Sequence, residues 1–255
     1  MIDFNEMADR IQALLEAHKT LLRDVSHELR SPLARLNVAL ELAREEAGEQ
    51  ASRALDHAEL ESSRLNTLIG ELLSLSLMES IHDVSNSKLI ELGDILERLM
   101  PDLQFEAGAR SCRVIYHHSA ECPVLGSEDL LRRALENVIR NALRYSPAGA
   151  EVILETAVEF NDAGSRASVR VCDTGPGVPE ENLQAIFRPF YRLDSARQSS
   201  TGGFGVGLAI AQRAVQLHGG SIRAFNKQGA GFCVELSFPC AASADVRRNH
   251  ESAGQ

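Results

Sequence analysis

Two long stretches within the first 83 residues repeat apolar side chains at spacings of three or four. In the first stretch these positions are Leu22, Val25, Leu29, Leu33, Leu36 and Leu40. In the second they are Leu55, Ala58, Leu65, Leu68, Leu72 and Leu75. This period is typical of the apolar seam of a coiled coil or helical bundle. The pattern therefore predicts two helices, joined by a turn in "EEAGEQAS" around Gly48.

A hairpin of two such helices has too little to bury against on its own. Dimerisation into a four-helix bundle is the expected solution. A plain structural hairpin is the alternative, and the apolar pattern does not separate the two.

The polar stretch "HDVSNSKLIELG" breaks the helical pattern near residue 83. Beyond it come short β-rich runs, "CRVIYHH", "AEVILETAV", "ASVRVCD", "SIRAF" and "FCVELSF". The helical stretches "SEDLLRRALENVIRNALRYS" and "GLAIAQRAVQLHG" lie between them. This mixture predicts one α/β domain over residues 88–240. The tail, residues 241–255, has almost nothing to bury and is predicted to be disordered.

Composition narrows the possible functions. The chain has 255 residues, 44% of them hydrophobic, which is enough for a core and for one or two domains. A net charge of −10 argues against a nucleic-acid partner. No apolar run approaches the roughly 18 residues of a membrane helix, and no signal peptide is visible.

The cysteines are scattered and contain no CxxC pair. They are Cys112, Cys122, Cys172, Cys233 and Cys240. This spacing argues against a zinc site or a disulfide framework and favours a reducing cytoplasm.

His27 is the first candidate for chemistry. It falls between two seam positions, so on a helix it points away from the seam. Pro32 crowds the carbonyl of Glu28, which predicts a bend in the helix. Ser31 lies one turn after His27, and Glu28 can hydrogen-bond one ring nitrogen and leave the other as a nucleophile. A solvated histidine without chemistry is the alternative.

Asn137 and Asn141 lie four residues apart on one face of a predicted helix, with Arg144 one turn further on. Two neighbouring amide oxygens suit a hard cation such as Mg²⁺, which also bridges to phosphates. An ordinary polar helix face is the alternative.

Two glycine clusters follow. "CDTGPGV" places Gly175 and Gly177 just after Asp173, and "TGGFGVGLAI" runs directly into a helix with Gly202, Gly203, Gly205 and Gly207. Glycines before a helix N-terminus let backbone N–H groups approach phosphate oxygens. Neither cluster is a P-loop or a dinucleotide-binding fingerprint. Simple turns are the alternative.

Five motifs occur in a fixed order: "SHELRSPL", "NVIRNALRYS", "DTGPGV", "IFRPFYR" and "GGFGVGLAI". The series resembles the H, N, G1, F and G2 boxes of bacterial two-component sensor histidine kinases, over about residues 1–240. "ALENVIRNALRYS" and "IFRPFYR" are most similar to the Cpx-type envelope-stress sensor kinases. The opening "DFNEMADRIQALLEAH" resembles the end of a HAMP linker.

The resemblance implies three domains and a tail. Residues 1–18 would be the end of the HAMP coupling helix, and residues 19–83 the dimerisation and histidine phosphotransfer domain. Residues 88–240 would be a Bergerat-type α/β sandwich that binds ATP, and residues 241–255 the tail. The chain would then be the cytoplasmic portion of an inner-membrane sensor, attached to the membrane through transmembrane segments that it lacks.

The resemblance also implies roles for individual residues. His27 would accept the phosphoryl group, with Glu28 orienting it and taking its proton. Asp173 would recognise the adenine amino group, and Arg192 would steady charge on the moving phosphoryl group. The remaining implied nucleotide-site residues are Asn137 and Asn141, which would hold Mg²⁺, with Arg144, Tyr145, Gly175, Gly177, Phe187, Gly203, Gly205, Gly207 and Leu208. Phe187, Phe190 and Arg192 would shape a mobile lid over residues 193–204.

The implied activity is autophosphorylation of His27 by ATP and Mg²⁺ in a homodimer. The phosphoryl group would then pass to an aspartate of a cognate response regulator. Ser31 stands where many relatives carry a threonine that positions water, which implies phosphatase activity toward that regulator. The alternatives are a Bergerat-fold ATPase and a catalytically silent dimeric scaffold.

Overall fold

The computed structural model describes residues 33, 34, 36, 38, 40, 43, 49–79, 88–121, 123–161, 164–193, 204–227 and 231–241. The chain divides into two compact units, residues 1–80 and residues 81–255. Among the described segments, no helix is both long and apolar enough to cross a membrane.

The first unit is helical. Helix α1 (Glu49–Glu79) begins directly after Gly48, and every described position between 33 and 43 is also helical. Leu33 and Leu75 are buried, whereas Leu65 is 45% exposed and Leu72 is 38% exposed. The second predicted helix is therefore confirmed, and part of its apolar seam faces outward in the single chain.

The second unit is built on strands and helices that alternate along the chain. They are β1 (Lys88–Glu91), α2 (Leu92–Ala109), β2 (Arg113–His117), β3 (Pro123–Gly126), α3 (Glu128–Tyr145), β4 (Glu151–Asn161), β5 (Gly164–Cys172), α4 (Gly207–Leu217), β6 (Ser221–Asn226) and β7 (Phe232–Pro239). Two short 3₁₀ helices, Glu180–Asn182 and Ala185–Phe187, lie between β5 and α4.

Five strands form one mixed sheet in the order β2-β4-β5-β7-β6. β2 and β4 run parallel, and the other neighbours run antiparallel. These are the five β-rich runs of the sequence, so the predicted α/β character is confirmed. β1 and β3 form a separate two-stranded sheet that the sequence analysis did not name.

The core lies between the sheet and a layer of helices. Alternate residues of neighbouring strands are buried and pair across the sheet, as Thr156, Val169 and Leu236 do. Helix α3 buries one face at spacings of three and four: Leu131, Ala134, Leu135, Val138, Ile139, Ala142 and Leu143. Helix α4 packs beside α3 and buries Ala209, Ile210, Ala211, Ala214 and Val215. This layer fixes the adjacent ends of α3 and α4, where the site residues lie.

The expectation that the cysteines form no disulfide was wrong. Cys172 of β5 and Cys233 of β7 are joined by a disulfide, although 61 residues separate them in the sequence. They are partners in the antiparallel register of the two strands. Sequence spacing carries no information about that register, which is why the pair was missed. Cys112 and Cys240 are free thiols.

Candidate nucleotide-binding site

Asp173 directly follows β5, and its side chain is buried, with 3% exposed. Its backbone N–H donates to the carbonyl of Phe232 at 2.9 Å, which extends the pairing of β5 with β7 by one rung. Its Oδ1 accepts the N–H of Gly175 at 2.7 Å. Burial raises the pKa of Asp173 to about 6, and backbone hydrogen bonds from Gly175 and Phe232 oppose that shift. A carboxylate in this setting suits the recognition of a ligand N–H group.

Gly175 brings the loop after Asp173 against the end of helix α3. A Cβ at this position would lie 2.7 Å from the carbonyl oxygen of Tyr145 and 3.0 Å from Oδ1 of Asp173. Tyr145 is the last residue of α3, and Asn137, Asn141 and Arg144 lie on its preceding turns. Gly175 therefore permits a close approach between the loop after Asp173 and helix α3, which carries Asn137 and Asn141.

Gly177 lies beside Asn226, a residue that the sequence analysis missed. Its φ is +74°, which favours glycine, and a Cβ would lie 2.7 Å from Oδ1 of Asn226. The Asn226 amide accepts the N–H of Val178 at 2.9 Å and donates to the carbonyl of Val178 at 2.7 Å. A single asparagine at the end of a strand gives no sequence signal, because its partner is 48 residues away.

Asn137 and Gly207 connect α3 to the start of α4. Nδ2 of Asn137 donates to the carbonyl of Arg133 at 2.8 Å. A Cβ at Gly207 would lie 2.7 Å from Oδ1 of Asn137 and would cover that oxygen. Asn141, one turn further on, is also partly exposed. The missing Cβ and the two amide oxygens fit a hard cation such as Mg²⁺. In the described part of the chain, no group of three or more His, Cys, Asp or Glu could hold a metal.

The first turn of α4 suits an anion. The helix begins at Gly207 and Leu208 after Val206, which has no polar side chain to cap the first backbone N–H groups. Such groups, together with the helix dipole, attract phosphate oxygens. This part of the second glycine cluster is therefore suited to a phosphate group.

The "IFRPFYR" motif contacts the second glycine cluster. The N–H of Phe190 donates to the carbonyl of Gly205 at 2.9 Å. Gly205 has a φ of +75°, and a Cβ there would lie 2.7 Å from the carbonyl of Tyr191 and 3.2 Å from Cγ of Arg192. Phe187 is buried, whereas Phe190 is 55% exposed with a φ of +64°. The structure thus brings Arg192 beside Gly205, two residues before α4 begins.

Four predicted site residues lie outside the described residues: His27, Glu28, Ser31 and Gly203. The same holds for Pro32, Gly202, the coupling helix, residues 194–203 of the predicted lid, and residues 242–255 of the tail. Ala241, where the predicted tail begins, donates its N–H to the carbonyl of Pro123 at 2.9 Å.

Two protein families match the chain. Residues 17–81 match the His Kinase A (phospho-acceptor) domain. Residues 126–242 match the histidine kinase-, DNA gyrase B- and HSP90-like ATPase family. The chain belongs to the sensor histidine kinases.

Curated sensor histidine kinases resemble the chain over most of its length. The sensor histidine kinase CpxA of Escherichia coli K12 is 35% identical over 92% of the chain. The sensor protein PfeS of Pseudomonas aeruginosa is 37% identical over 92% of the chain. In both cases the chain spans 50% of the relative's own length. The resemblance to the Cpx-type sensor kinases is confirmed.

Solved structures of histidine kinases share the fold. The structure of full-length ShkA in complex with AMPPNP has a TM-score of 0.71 and 23% identity, and the match covers 89% of this chain and 47% of that one. The histidine kinase AdeS of Acinetobacter baumannii has a TM-score of 0.58 and 22% identity, over 85% of this chain and 98% of that one. These matches show the fold, a helical region followed by an α/β domain.

Replacing Gly175 with alanine should weaken ATP binding by about tenfold or more, because the new Cβ must displace the Asp173 loop from Tyr145. Isothermal titration of the full chain with ATP measures this effect. Gly108→Ala is the matched control, since a Cβ there meets nothing within 4 Å. Equal losses of affinity in the two variants would contradict the close-approach role of Gly175.

Asp173→Asn should remove a pH dependence of stability. The pKa of Asp173 is higher in the folded protein, at about 6, than its ordinary value of 3.8. The folded state therefore holds this proton more tightly, and its stability falls as the pH rises from about 4 through 6. Between about pH 4 and about pH 6, the free energy of unfolding of the variant should rise by about 3 kcal/mol relative to that of the wild type.

Urea unfolding followed by tyrosine fluorescence measures this gain in the second unit, because all three tyrosines lie there. A stability difference between variant and wild type that is the same at pH 4.5 and pH 7.5 would refute the buried-carboxylate assignment.

Proposed function

We propose that this chain is the kinase portion of a two-component sensor and that it phosphorylates its own His27 with ATP. The observation that carries the proposal is the match of residues 17–81 to a phospho-acceptor domain. That match includes His27, in the same chain as an ATP-binding domain. The phosphoryl group then passes to an aspartate of a cognate response regulator.

On the nucleotide side, each group in the second unit has a separate task. The Asp173 carboxylate accepts a hydrogen bond from the adenine amino group, and Gly175 and Gly177 leave room for the base. Phosphate oxygens accept hydrogen bonds from the backbone N–H groups of Gly203, Gly205, Gly207 and Leu208. Arg144 faces the phosphates, and Tyr145 and Phe187 line the site.

Asn137 and Asn141 would hold Mg²⁺, which supplies charge neutralisation between the phosphates when it is bound. The support for this role is the uncovered Oδ1 of Asn137 beside Gly207. Helix α3 positions both amide oxygens.

On the histidine side, one ring nitrogen of His27 attacks the terminal phosphorus of ATP. A nitrogen–phosphorus bond forms, the bond to the bridging oxygen breaks, and ADP leaves. Glu28 hydrogen-bonds the other ring nitrogen and accepts the imidazole proton, and Arg192 balances charge on the moving group. Phosphoryl transfer depends mainly on alignment and charge neutralisation, so His27 of the same chain or of a second copy must come within a few ångströms of the bound ATP.

We propose that the active form is a homodimer formed through the helical unit. Leu65 and Leu72 lie seven residues apart on α1 and are exposed in the single chain. That spacing places both on one face, as in the seam of a helical bundle. A second copy of the chain would cover them and complete a four-helix bundle.

The similarity to whole sensor proteins supports a location at the inner membrane. The chain matches half the length of CpxA and of PfeS, both named as sensors. We propose that it forms the cytoplasmic portion of such a sensor. The net charge of −10 does not favour a nucleic-acid partner.

An ATP-hydrolysing enzyme is the main alternative, because the matched family also includes DNA gyrase B- and HSP90-like ATPases. In those groups a glutamate that activates water typically lies four residues before the magnesium-binding asparagine. This chain has Asn137 at that position, four residues before Asn141, and an amide cannot act as a general base. The phospho-acceptor match also favours transfer over hydrolysis, and the intact series of motifs weighs against a silent scaffold.

Incubation with ATP labelled at the γ-phosphate tests the kinase. The wild-type chain should acquire a label that is lost in acid and stable in alkali, and His27→Gln should acquire none. His117→Gln, at an exposed position of β2, is the matched control and should retain the label. Label on the His27→Gln variant, or release of free phosphate without labelled protein, would contradict the proposal.

Ser31 gives a test of the phosphatase activity. Its hydroxyl is proposed to position the water that attacks the phosphorylated regulator. Ser31→Ala should slow dephosphorylation by about 10²-fold, whereas Ser31→Thr keeps the hydroxyl and should retain the rate. The measurement is loss of label from the phosphorylated regulator in the presence of each variant and ADP. Unchanged dephosphorylation by Ser31→Ala would rule out this role.

A further inference from the structure

Two cysteines that the proposed chemistry does not use lie beside the adenine-binding carboxylate. Cys172 is the last residue of β5 and Cys233 the second residue of β7, and the two are register partners. Their Cα atoms are 4.2 Å apart and a disulfide joins them. This short distance is typical of the narrow pairs of an antiparallel ladder. The next rung is the hydrogen bond from Asp173 to Phe232.

We propose that Cys172 and Cys233 form a reversible thiol-modification site, and that its oxidation by a low-molecular-weight disulfide such as glutathione disulfide tightens ATP binding. The inference rests on the proposed function, which assigns adenine to Asp173 and places this domain in the cytoplasm. Disulfides in cytoplasmic proteins are usually transient and serve catalysis or redox sensing. The position of this bond favours redox sensing, because it adjoins the binding site.

The bond ties together the two strands that hold the Asp173 loop. Asp173 follows Cys172, and Phe232 precedes Cys233. The N–H of Asp173 donates to the carbonyl of Phe232. Phe232 is also the register partner of Asn226, whose side chain holds both backbone polar groups of Val178. Any change in the spacing of Cys172 and Cys233 is therefore transmitted to both ends of the loop.

Reduction removes the covalent bond that fixes that spacing. Two thiols cannot approach as closely as two bonded sulfur atoms, because unbonded atoms keep their van der Waals separation. Cys233 is buried, with 2% exposed, whereas Cys172 is partly exposed. The sulfur of Cys172 is therefore the one with room to move, and Asp173 next to it loses a restraint on its position. The oxidised form keeps the carboxylate in place before ATP arrives, which reduces the cost of ordering it on binding.

The exchange with glutathione disulfide proceeds in two steps. The thiolate of Cys172, the more exposed of the pair, attacks one sulfur of glutathione disulfide and releases one glutathione thiolate. The thiolate of Cys233 then attacks the Cys172 sulfur of the mixed disulfide and releases the second glutathione. Two electrons pass from the protein to glutathione disulfide, and the two thiol protons pass to the released thiolates.

The test uses the full chain, equilibrated in buffers rich in either glutathione disulfide or reduced glutathione. Alkylation and mass measurement count the free thiols, and isothermal titration gives the dissociation constant of ATP in each buffer. Reduction should raise that constant by about tenfold, the size expected for the loss of one hydrogen bond. Cys172→Ser and Cys172→Ala should show the weaker value in both buffers.

Cys240→Ser is the matched control, since Cys240 is a partly exposed free thiol just after β7, and it should respond as the wild type does. The proposal is overturned if no disulfide forms, if ATP binds equally or more tightly after reduction, or if a Cys172 variant still responds. Equal binding in both buffers with normal labelling of His27 would overturn this coupling alone. Absence of ATP binding in both buffers would overturn the proposed function as well.

Discussion

Asp173 keeps its carboxylate out of water at the point where β5 ends, and the surrounding backbone is arranged around that group. One oxygen is satisfied by the N–H of Gly175, and the backbone of the residue is fixed by pairing with Phe232. Burial raises the pKa of the carboxyl to about 6, so its ionised form has a cost in stability at neutral pH. A group kept at such a cost is typical of a functional site rather than of a core. The proposed recognition of adenine supplies the reason.

The rest of the site depends on close approaches that only glycine allows. Gly175 lies against the end of α3, and Gly207 lies against Asn137. Gly205 lies against the backbone of Phe190 and Tyr191 and the side chain of Arg192. Each contact joins segments that are far apart in the sequence: a loop after a strand, helix α3, and the start of α4. These contacts place the Asp173 carboxylate, two amide oxygens and a helix N-terminus in one region. This arrangement suits a nucleoside triphosphate, and no single motif indicates that as clearly.

The sequence predicted the elements that stand out as short β-rich runs or as longer helical stretches. These were the five strands of the main sheet, helix α3 and helix α4. Helix α2 was not expected, since Pro101 lies inside it and weakens the helical signal. The strands β1 and β3 are four residues each, too short to show a period.

Contacts set by strand register could not be predicted from one sequence. The Cys172–Cys233 disulfide and the hydrogen bond between Asn226 and Val178 both depend on which residues face each other across the sheet. Among the nucleotide-site residues, Asp173, Gly175 and Asn137 were identified because their motifs resemble those of a known family, while their mutual contacts became visible only in the fold. The placement of His27, Glu28 and Ser31 stays a prediction.

The central claim is that the buried Asp173 carboxylate selects the base by accepting its amino group. Inosine triphosphate differs from ATP at the position of that amino group, where it carries an oxygen that can only accept a hydrogen bond. Isothermal titration of the full chain with each nucleotide and magnesium tests the claim most directly. The account predicts that ATP binds at least about 10²-fold more tightly, since the carboxylate would face another acceptor in the inosine complex. Equal affinity for the two nucleotides would contradict it.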